Sequence, residues 1–412
     1  MFPAYEPDTS VGSRNACDRE RCDRSRRSRS ARRASQPSTE AGLASDAHGI
    51  GDDGRGRGRR AEHSHRRLEG RDAASEPGVF AVSVDVELLE DPDGWDRLVE
   101  RAAETTPFHR RAALEVFADH TDSTLHPLVG YVGEEPAGLF PVFERRVGPV
   151  MTVFSPPPNR KLTYLGPAIF ADPNMKRRKR ERRHLSFVES AMEYVDEEVA
   201  PRYVSVRTSV GYEDPRPFLW NDFESTPRYT YHVDLTGDLD ELLETMGSDL
   251  RSNVQNTDAD AFSIEEGDRT AMEQIVVNAK RRHDEQGVPY EVTPSLVRDL
   301  SRAIPDHLRA YVCTVDGEFV GGALLLCDDD TVYRWQSVAD FDASVPAQDL
   351  LDWHVIERAS EEGIDQYDLV GANNRRLCRY KAKFAPTVQT YYRLERSGPV
   401  MKLLTDAYAK LR

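Results

Sequence analysis

The sequence predicts an α/β protein with a mixed sheet, built as two tandem copies of one unit behind a disordered N-terminal tail. Three observations carry this reading. Residues 1–78 hold few large apolar side chains and cannot bury enough surface to offset their ordering entropy. Beyond Val79, stretches with strand alternation and stretches with helical spacing follow one another in an order that is repeated once. Each copy also contains a pair of apolar strands joined by a Gly-containing turn, Leu128–Phe143 and Tyr311–Leu326.

The elements follow in order. The Arg/Ser/Gly-rich segment 1–78 reads as an over-long extension of the gene, with Val79, Val82 or Val84 as alternative starts, or else as a solvated linker; the functional alternative is an Arg-rich nucleic-acid arm. The first unit covers 79–225. Phe80–Leu89 alternates as a strand, and Pro92–Glu104 and Arg110–Asp119 have helical spacing. His126–Val132 and Ala137–Phe143 are strands around a tight turn, and Lys161–Gly166 resembles another. Pro173 to Asp196 reads as a long helix, with Asp172 as N-cap and Pro173 in its first turn. Tyr203–Thr208 is the next strand.

The second unit covers 226–412. Tyr229–Leu235 is a strand, Leu239–Asn256 one helix, and Arg269–Gln286 and Pro294–Ile304 two more. Leu308–Val315 and Phe319–Cys327 form a hairpin around Asp316-Gly317, the strongest short hairpin signal in the chain. Thr331–Ala339 is a strand, Ala347–Glu362 a helix, Gln366–Val370 a strand and Tyr391–Glu395 the last.

The formal charge of -16 is uneven. Residues 1–78 carry 16 Arg, no Lys and 13 acidic residues, which leaves 39 basic and 58 acidic residues in 79–412. Only 8 lysines are present. Such an acidic, Lys-poor surface resembles that of proteins from salt-loving archaea, where carboxylates keep a chain soluble, so acidity says little about partners. Cys17 and Cys22 lack a nearby His cluster, and Cys313, Cys327 and Cys378 read as reduced core thiols. No apolar run is long enough to span a bilayer and no signal peptide is visible, which points to the cytoplasm.

The most informative stretch is Tyr367-Asp368-Leu369-Val370-Gly371, followed by Arg379-Tyr380-Lys381-Ala382-Lys383-Phe384. It reads as a buried strand, a turn, and a lysine between two rings just past the carboxyl end of the strand, where α/β folds place ligands. A lysine suits a phosphate or a developing oxyanion there; the plainer role is a stem covering aromatic core.

The element order resembles the GNAT acyltransferase fold, and the duplication with the C-terminal motif resembles Fem-type peptidyltransferases. Their pattern is Asp-x-x-Gly, a variable stretch, then Phe-Lys-x-x-Phe-Gly. Here it stands as Asp368, Gly371 and Tyr380-Lys381-Ala382-Lys383-Phe384-Ala385. A second element, Arg-x-x-Ile-Arg-x-Ala, stands as Arg251 to Thr257 with Gln255 for the second arginine. The resemblance implies transfer of an acyl group from an activated carrier to an amine on a sugar-containing or lipid-linked acceptor. On it, Lys381 is catalytic and stabilises charge. Arg251, Asn373, Asn374, Tyr380, Phe384 and Trp335 contact substrate, while Asp368 and Gly371 hold the turn.

A GNAT enzyme seats the pyrophosphate of coenzyme A on a Gly-rich turn at a helix N-terminus. The matching segment Ala339–Ala347 has no Gly and two carboxylates, Asp340 and Asp342. A coenzyme A thioester nevertheless stands slightly ahead as donor, with aminoacyl-tRNA as the alternative and a non-catalytic binding module as the second. The run Lys176–Arg183 holds seven basic residues in eight, a candidate contact for tRNA or anionic lipid or else a solvated helix face. Arg216 is expected to pack on Trp220, and Tyr333 and His354 to lie in the core. No nucleophile triad or metal-ligand spacing is present.

Overall fold

In the computed structural model, strands from both copies join in a single mixed sheet. The structure describes residues 83–102, 104–170 and 174–398. The expectations for the tail, for Cys17 and Cys22 and for Asp172-Pro173 lie outside these residues.

The first copy runs β1 (Asp85–Leu88), α1 (Pro92–Val99), α2 (Arg111–Thr121), β2 (Thr124–Val132), β3 (Glu135–Val147), β4 (Val150–Ser155), β5 (Ala168–Ile169), α3 (Arg177–Tyr194) and β6 (Tyr203–Arg207). A short α4 (Arg216–Leu219) leads to β7 (Glu224–Asp234), α5 (Leu239–Thr245), α6 (Ser248–Asn256), β8 (Ser263–Glu266), α7 (Arg269–Glu285) and α8 (Pro294–Ala303). Then come β9 (Leu308–Val315), β10 (Glu318–Cys327), β11 (Thr331–Ala339), α9 (Ala347–Glu361), β12 (Gln366–Asp368), α10 (Arg375–Lys381) and β13 (Thr387–Ser397). The sheet order is β1-β2-β3-β4-β6-β13-β7-β12-β11-β10-β9-β8, with β5 beside β3. Strand β13 pairs antiparallel with both β6 and β7, so the last strand stitches the two copies together.

Local chemistry explains the elements. Asp91 caps α1 by accepting from the Asp93 amide, Pro92 opens the helix, and Trp95, Leu98 and Val99 are buried. In the β9–β10 hairpin both turn residues are left-handed, Asp316 at φ 51° and Gly317 at φ 78°, as a two-residue turn with right-handed strand twist requires. The repeated Gly of the hairpins has a packing cause. A Cβ on Gly138 would fall 2.4 Å from the Phe187 ring of α3, and one on Gly321 would fall 3.0 Å from Leu351 of α9. Each copy thus presses a helix onto a strand at a glycine.

One face of the sheet carries a core drawn from both copies, in which Trp95, Leu114 and Phe117 join Ile275, Leu296 and Trp335. The other face carries two cores, one around Phe187 and one around Leu351 and Tyr367.

Several expectations need correction. The long helix begins at Arg177, because Lys176 is extended at ψ 135°. The expected helix 239–256 is broken at Met246-Gly247, where the Gly247 amide leaves the helix to donate to the Lys383 carbonyl at 2.7 Å. The 161–166 stretch forms only one bridge, Leu165 to Thr208, because Lys161 is left-handed at φ 55°. Strand β12 stops at Asp368, since Val370 and Gly371 are left-handed.

Candidate active site

Strands β11 and β12 are parallel neighbours only over Thr331–Tyr333 and Gln366–Asp368. Beyond that, β11 continues to Ala339 while the other chain turns away. A register shift against β10 sets Arg334 and Gln336 opposite consecutive residues, Leu325 and Leu324, and leaves Trp335 as the extra residue. Such a bulge re-aims side chains where a ladder ends.

The turn after β12 is over-determined. Asp368 is fully buried, and its Oδ1 accepts from the Val370 amide at 2.7 Å and the Thr230 hydroxyl at 2.6 Å. Thr230 Oγ1 in turn accepts from the Gly371 amide at 2.8 Å. Lys381 Nζ donates to the carbonyls of Val370 and Gly371 at 2.8 and 2.7 Å. These bonds hold Val370, a β-branched residue, at φ 50°, a region such residues rarely enter. Burial, with Arg334 adding, pulls the Lys381 pKa down to about 8. Asn373 straps the turn to β7, accepting from the Tyr229 amide and donating to its carbonyl. Asn374 caps α10 through the Arg376 and Leu377 amides.

Tyr380, Phe384 and Arg251 lie elsewhere. Tyr380 donates to Asp352 Oδ2 at 2.7 Å, and Phe384 is fully buried. Arg251, on α6, buries its Nε without a hydrogen-bond partner. Asp352 on α9 is fully buried and also accepts from Tyr367 at 2.7 Å, with Arg334 Nε 3.1 Å away. One turn earlier, Asp349 accepts from Lys383 at 2.6 Å and Asn253 at 2.7 Å. Lys383 Nζ sits 4.4 Å over the Tyr380 ring.

Beside the turn is a shallow cleft, lined by Tyr333, Trp335 and Val370 from the second copy and by Phe108, Lys161 and Tyr164 from the first. Trp335 is fixed in its wall by donating to the Lys161 carbonyl at 3.1 Å and by an edge contact with Phe108 at 5.4 Å. Below the wall three buried polar atoms lack hydrogen-bond partners: the Tyr164 hydroxyl, Asp368 Oδ2 and His232 Nε2. The last two are 3.4 Å apart. Burial and the charge of Asp368 push the Tyr164 pKa well above 10. Burial pulls the His232 pKa down, but the Asp368 carboxylate at 3.4 Å and the Gln366 side chain on Nδ1 outweigh it and leave it raised.

Sequence reasoning did not single out Tyr164, Thr230, His232, Arg334, Asp349 or Asp352. Charged residues on apolar elements, Arg334 in β11 and Asp349 and Asp352 on the inner face of α9, were the available signal.

Residues 240–382 match the family model described as an acetyltransferase (GNAT) domain. Over that stretch the chain is similar to GNAT-type acyltransferase domains. The splay, the turn and Lys381 all lie in or directly beside this stretch. No curated protein matches the chain. Among solved structures, the crystal structure of FemX is similar with a TM-score of 0.59 at 12% identity, over 75% of this chain and 96% of that one. The C-terminal domain of a putative lysylphosphatidylglycerol synthetase from Agrobacterium fabrum is similar with a TM-score of 0.50 at 14% identity, over 76% and 94%. At such identities the likeness is one of fold.

The N-terminus of α9, where a GNAT domain would seat the coenzyme A pyrophosphate, fits that group poorly. Asp340 and Asp342 are exposed before it and Asp349 lies in its first turn. Among the described residues no group of His, Cys, Asp or Glu is placed to hold a metal ion, and no helix is long and apolar enough to cross a membrane. Cys313 and Cys327 are buried, and burial pushes their thiols up to about 11 and about 12, outside the reactive range.

Proposed function

We propose that the protein transfers an acyl group from an activated carrier to an amine, in the cleft where β11 and β12 diverge, between two GNAT-like halves that meet near residue 225. The observation that carries this is the convergence of unpartnered Tyr164, Asp368 and His232 atoms beneath the cleft wall. The amine nitrogen attacks the acyl carbonyl carbon, forming the N–C bond, and the carrier oxygen or sulfur leaves with its electron pair. The nitrogen must lose a proton. Tyr164 takes it while passing its own to Asp368 Oδ2 and on to neutral His232, so that no phenolate accumulates. The leaving group takes a proton from water, and the hydroxide so formed takes the proton held on His232, which resets the relay. Lys381 is a positioning residue: two of its three N–H donors hold the turn carbonyls.

The acceptor is an amine on a sugar-containing or lipid-linked molecule. The Fem-type motif supports this, as does the name of the lysylphosphatidylglycerol synthetase neighbour, which speaks of a lysyl group on a lipid. Asp340 and Asp342, exposed ahead of α9, weigh against coenzyme A and favour an aminoacyl ester, the tRNA-type donor, because a pyrophosphate there meets like charge. Isothermal titration with coenzyme A tests the donor. No saturable heat is expected up to millimolar ligand; micromolar binding would return coenzyme A to first place.

A further inference from the structure

The first turns of α3 carry five consecutive exposed cations, Lys176, Arg177, Arg178, Lys179 and Arg180. Their place is unfavourable for the fold. The N-terminus of a helix is its positive end, the first turn holds no acidic residue, and Lys176 makes no side-chain cap. The helix is anchored by other residues: Arg183 reaches Glu135 and the Pro136 carbonyl, and Phe187 fills the gap at Gly130 and Gly138. Lys176, Lys179 and Arg180 take no part in this anchoring.

An exposed apolar pair adjoins them. Trp220 is 61% exposed and Leu219 42%, both at the end of α4. The link between the two features is continuous. Arg177 Nε donates to Glu181 at 3.0 Å, Arg216 approaches Glu181 at 3.6 Å, and the Arg216 guanidinium lies 5.7 Å from the Trp220 ring. Of the nearby carboxylates, Glu181 and Asp214 are each engaged by arginine, while Glu213 and Asp222 are exposed at the edge.

We infer that this surface docks the protein on an anionic lipid bilayer. Lys176, Lys179 and Arg180 match the phosphates of such a surface, and an indole with a leucine beside it suits the headgroup boundary, where amphipathic rings sit. Nucleic acid would use the cations but has less use for Leu219. The docking is independent of the reaction assigned to the cleft.

Tryptophan emission of the full chain, mixed at low salt with phosphatidylglycerol or phosphatidylcholine vesicles, tests it. Of the four tryptophans, Trp95, Trp335 and Trp353 are buried, so a change reports Trp220. A blue shift and co-sedimentation are expected with phosphatidylglycerol vesicles only. The triple variant K176E/K179E/R180E, all at exposed positions, should bind about tenfold more weakly or worse, and Trp220→Ala should lose the blue shift. The triple variant should melt no lower than the parent, since glutamates suit a helix N-terminus, and Trp220→Ala should melt with the parent. Absence of binding overturns the inference. So does binding that the triple variant retains, which would place it in the Arg-rich residues 1–78. Retention of an RNA oligonucleotide without vesicle binding would overturn it in favour of a nucleic-acid surface.

Discussion

Lys381 Nζ donates to the carbonyl of Val370 across 2.8 Å, and Val370 is left-handed at φ 50°. The lysine therefore stabilises a backbone shape that valine resists. Lys381→Met removes two hydrogen bonds to half-buried carbonyls while keeping most of the apolar stem. Loss of about 2–4 kcal/mol in chemical denaturation is expected, together with loss of transfer activity. A variant as stable as the parent would show that the turn holds its shape without the ammonium.

The lowered Lys381 pKa gives that stability difference a pH dependence. The group titrates near 8 in the fold and near 10.5 in the unfolded chain, so the unfolded state binds more protons between these values and stability rises with pH there. The parent should gain on the Lys381→Met variant from pH 8 upward, approaching about 3 kcal/mol by full deprotonation. Parallel stability curves for the two proteins would contradict the shift.

Asp352 gathers Tyr367, Tyr380 and Arg334 around one buried carboxylate. Asp352→Ala strands a buried guanidinium and two hydroxyls, and should cost about 3–5 kcal/mol. Adding Arg334→Met should recover part of that loss. If the double variant is less stable than Asp352→Ala, the guanidinium is held by other groups.

Tyr164→Phe separates chemistry from folding. Its hydroxyl is buried without a hydrogen-bond partner, so removing it should leave stability unchanged or raise it by about 1 kcal/mol. Transfer should nevertheless fall about 100-fold or more, the scale of a lost general acid–base group. Asp368→Asn should lower the His232 pKa, which its charge now raises, an effect that histidine NMR titration reads directly.

Much of the fold was legible because local signals and tertiary context agree. Asp316-Gly317 demands its turn, and the apolar runs on either side fix β9 and β10. The break at Gly247 was not legible, since the group that captures its amide, the Lys383 carbonyl, is distant in sequence. Strand β13 extends beyond the expected 391–395 to Thr387–Ser397, because it pairs with β7 over 387–395 and with β6 over 393–397. At the site, Asp368, Gly371, Asn373 and Lys381 could be found together because one short segment holds them. Thr230 and His232 reach them only because β7 lies beside β12, and Tyr164 only because the first copy lines the cleft.

The central claim, acyl transfer in a cleft shared by both copies, is tested most directly by one comparison. Radioactive aminoacyl-tRNA is incubated with the parent protein or Tyr164→Phe and a mixture of lipid-linked and nucleotide-sugar amines, and label on the acceptors is counted. The parent should move label and the variant should lose about 99% of that rate. Equal rates would remove Tyr164 from the chemistry, and a parent inert with both aminoacyl-tRNA and acyl-coenzyme A would contradict the assignment of the cleft.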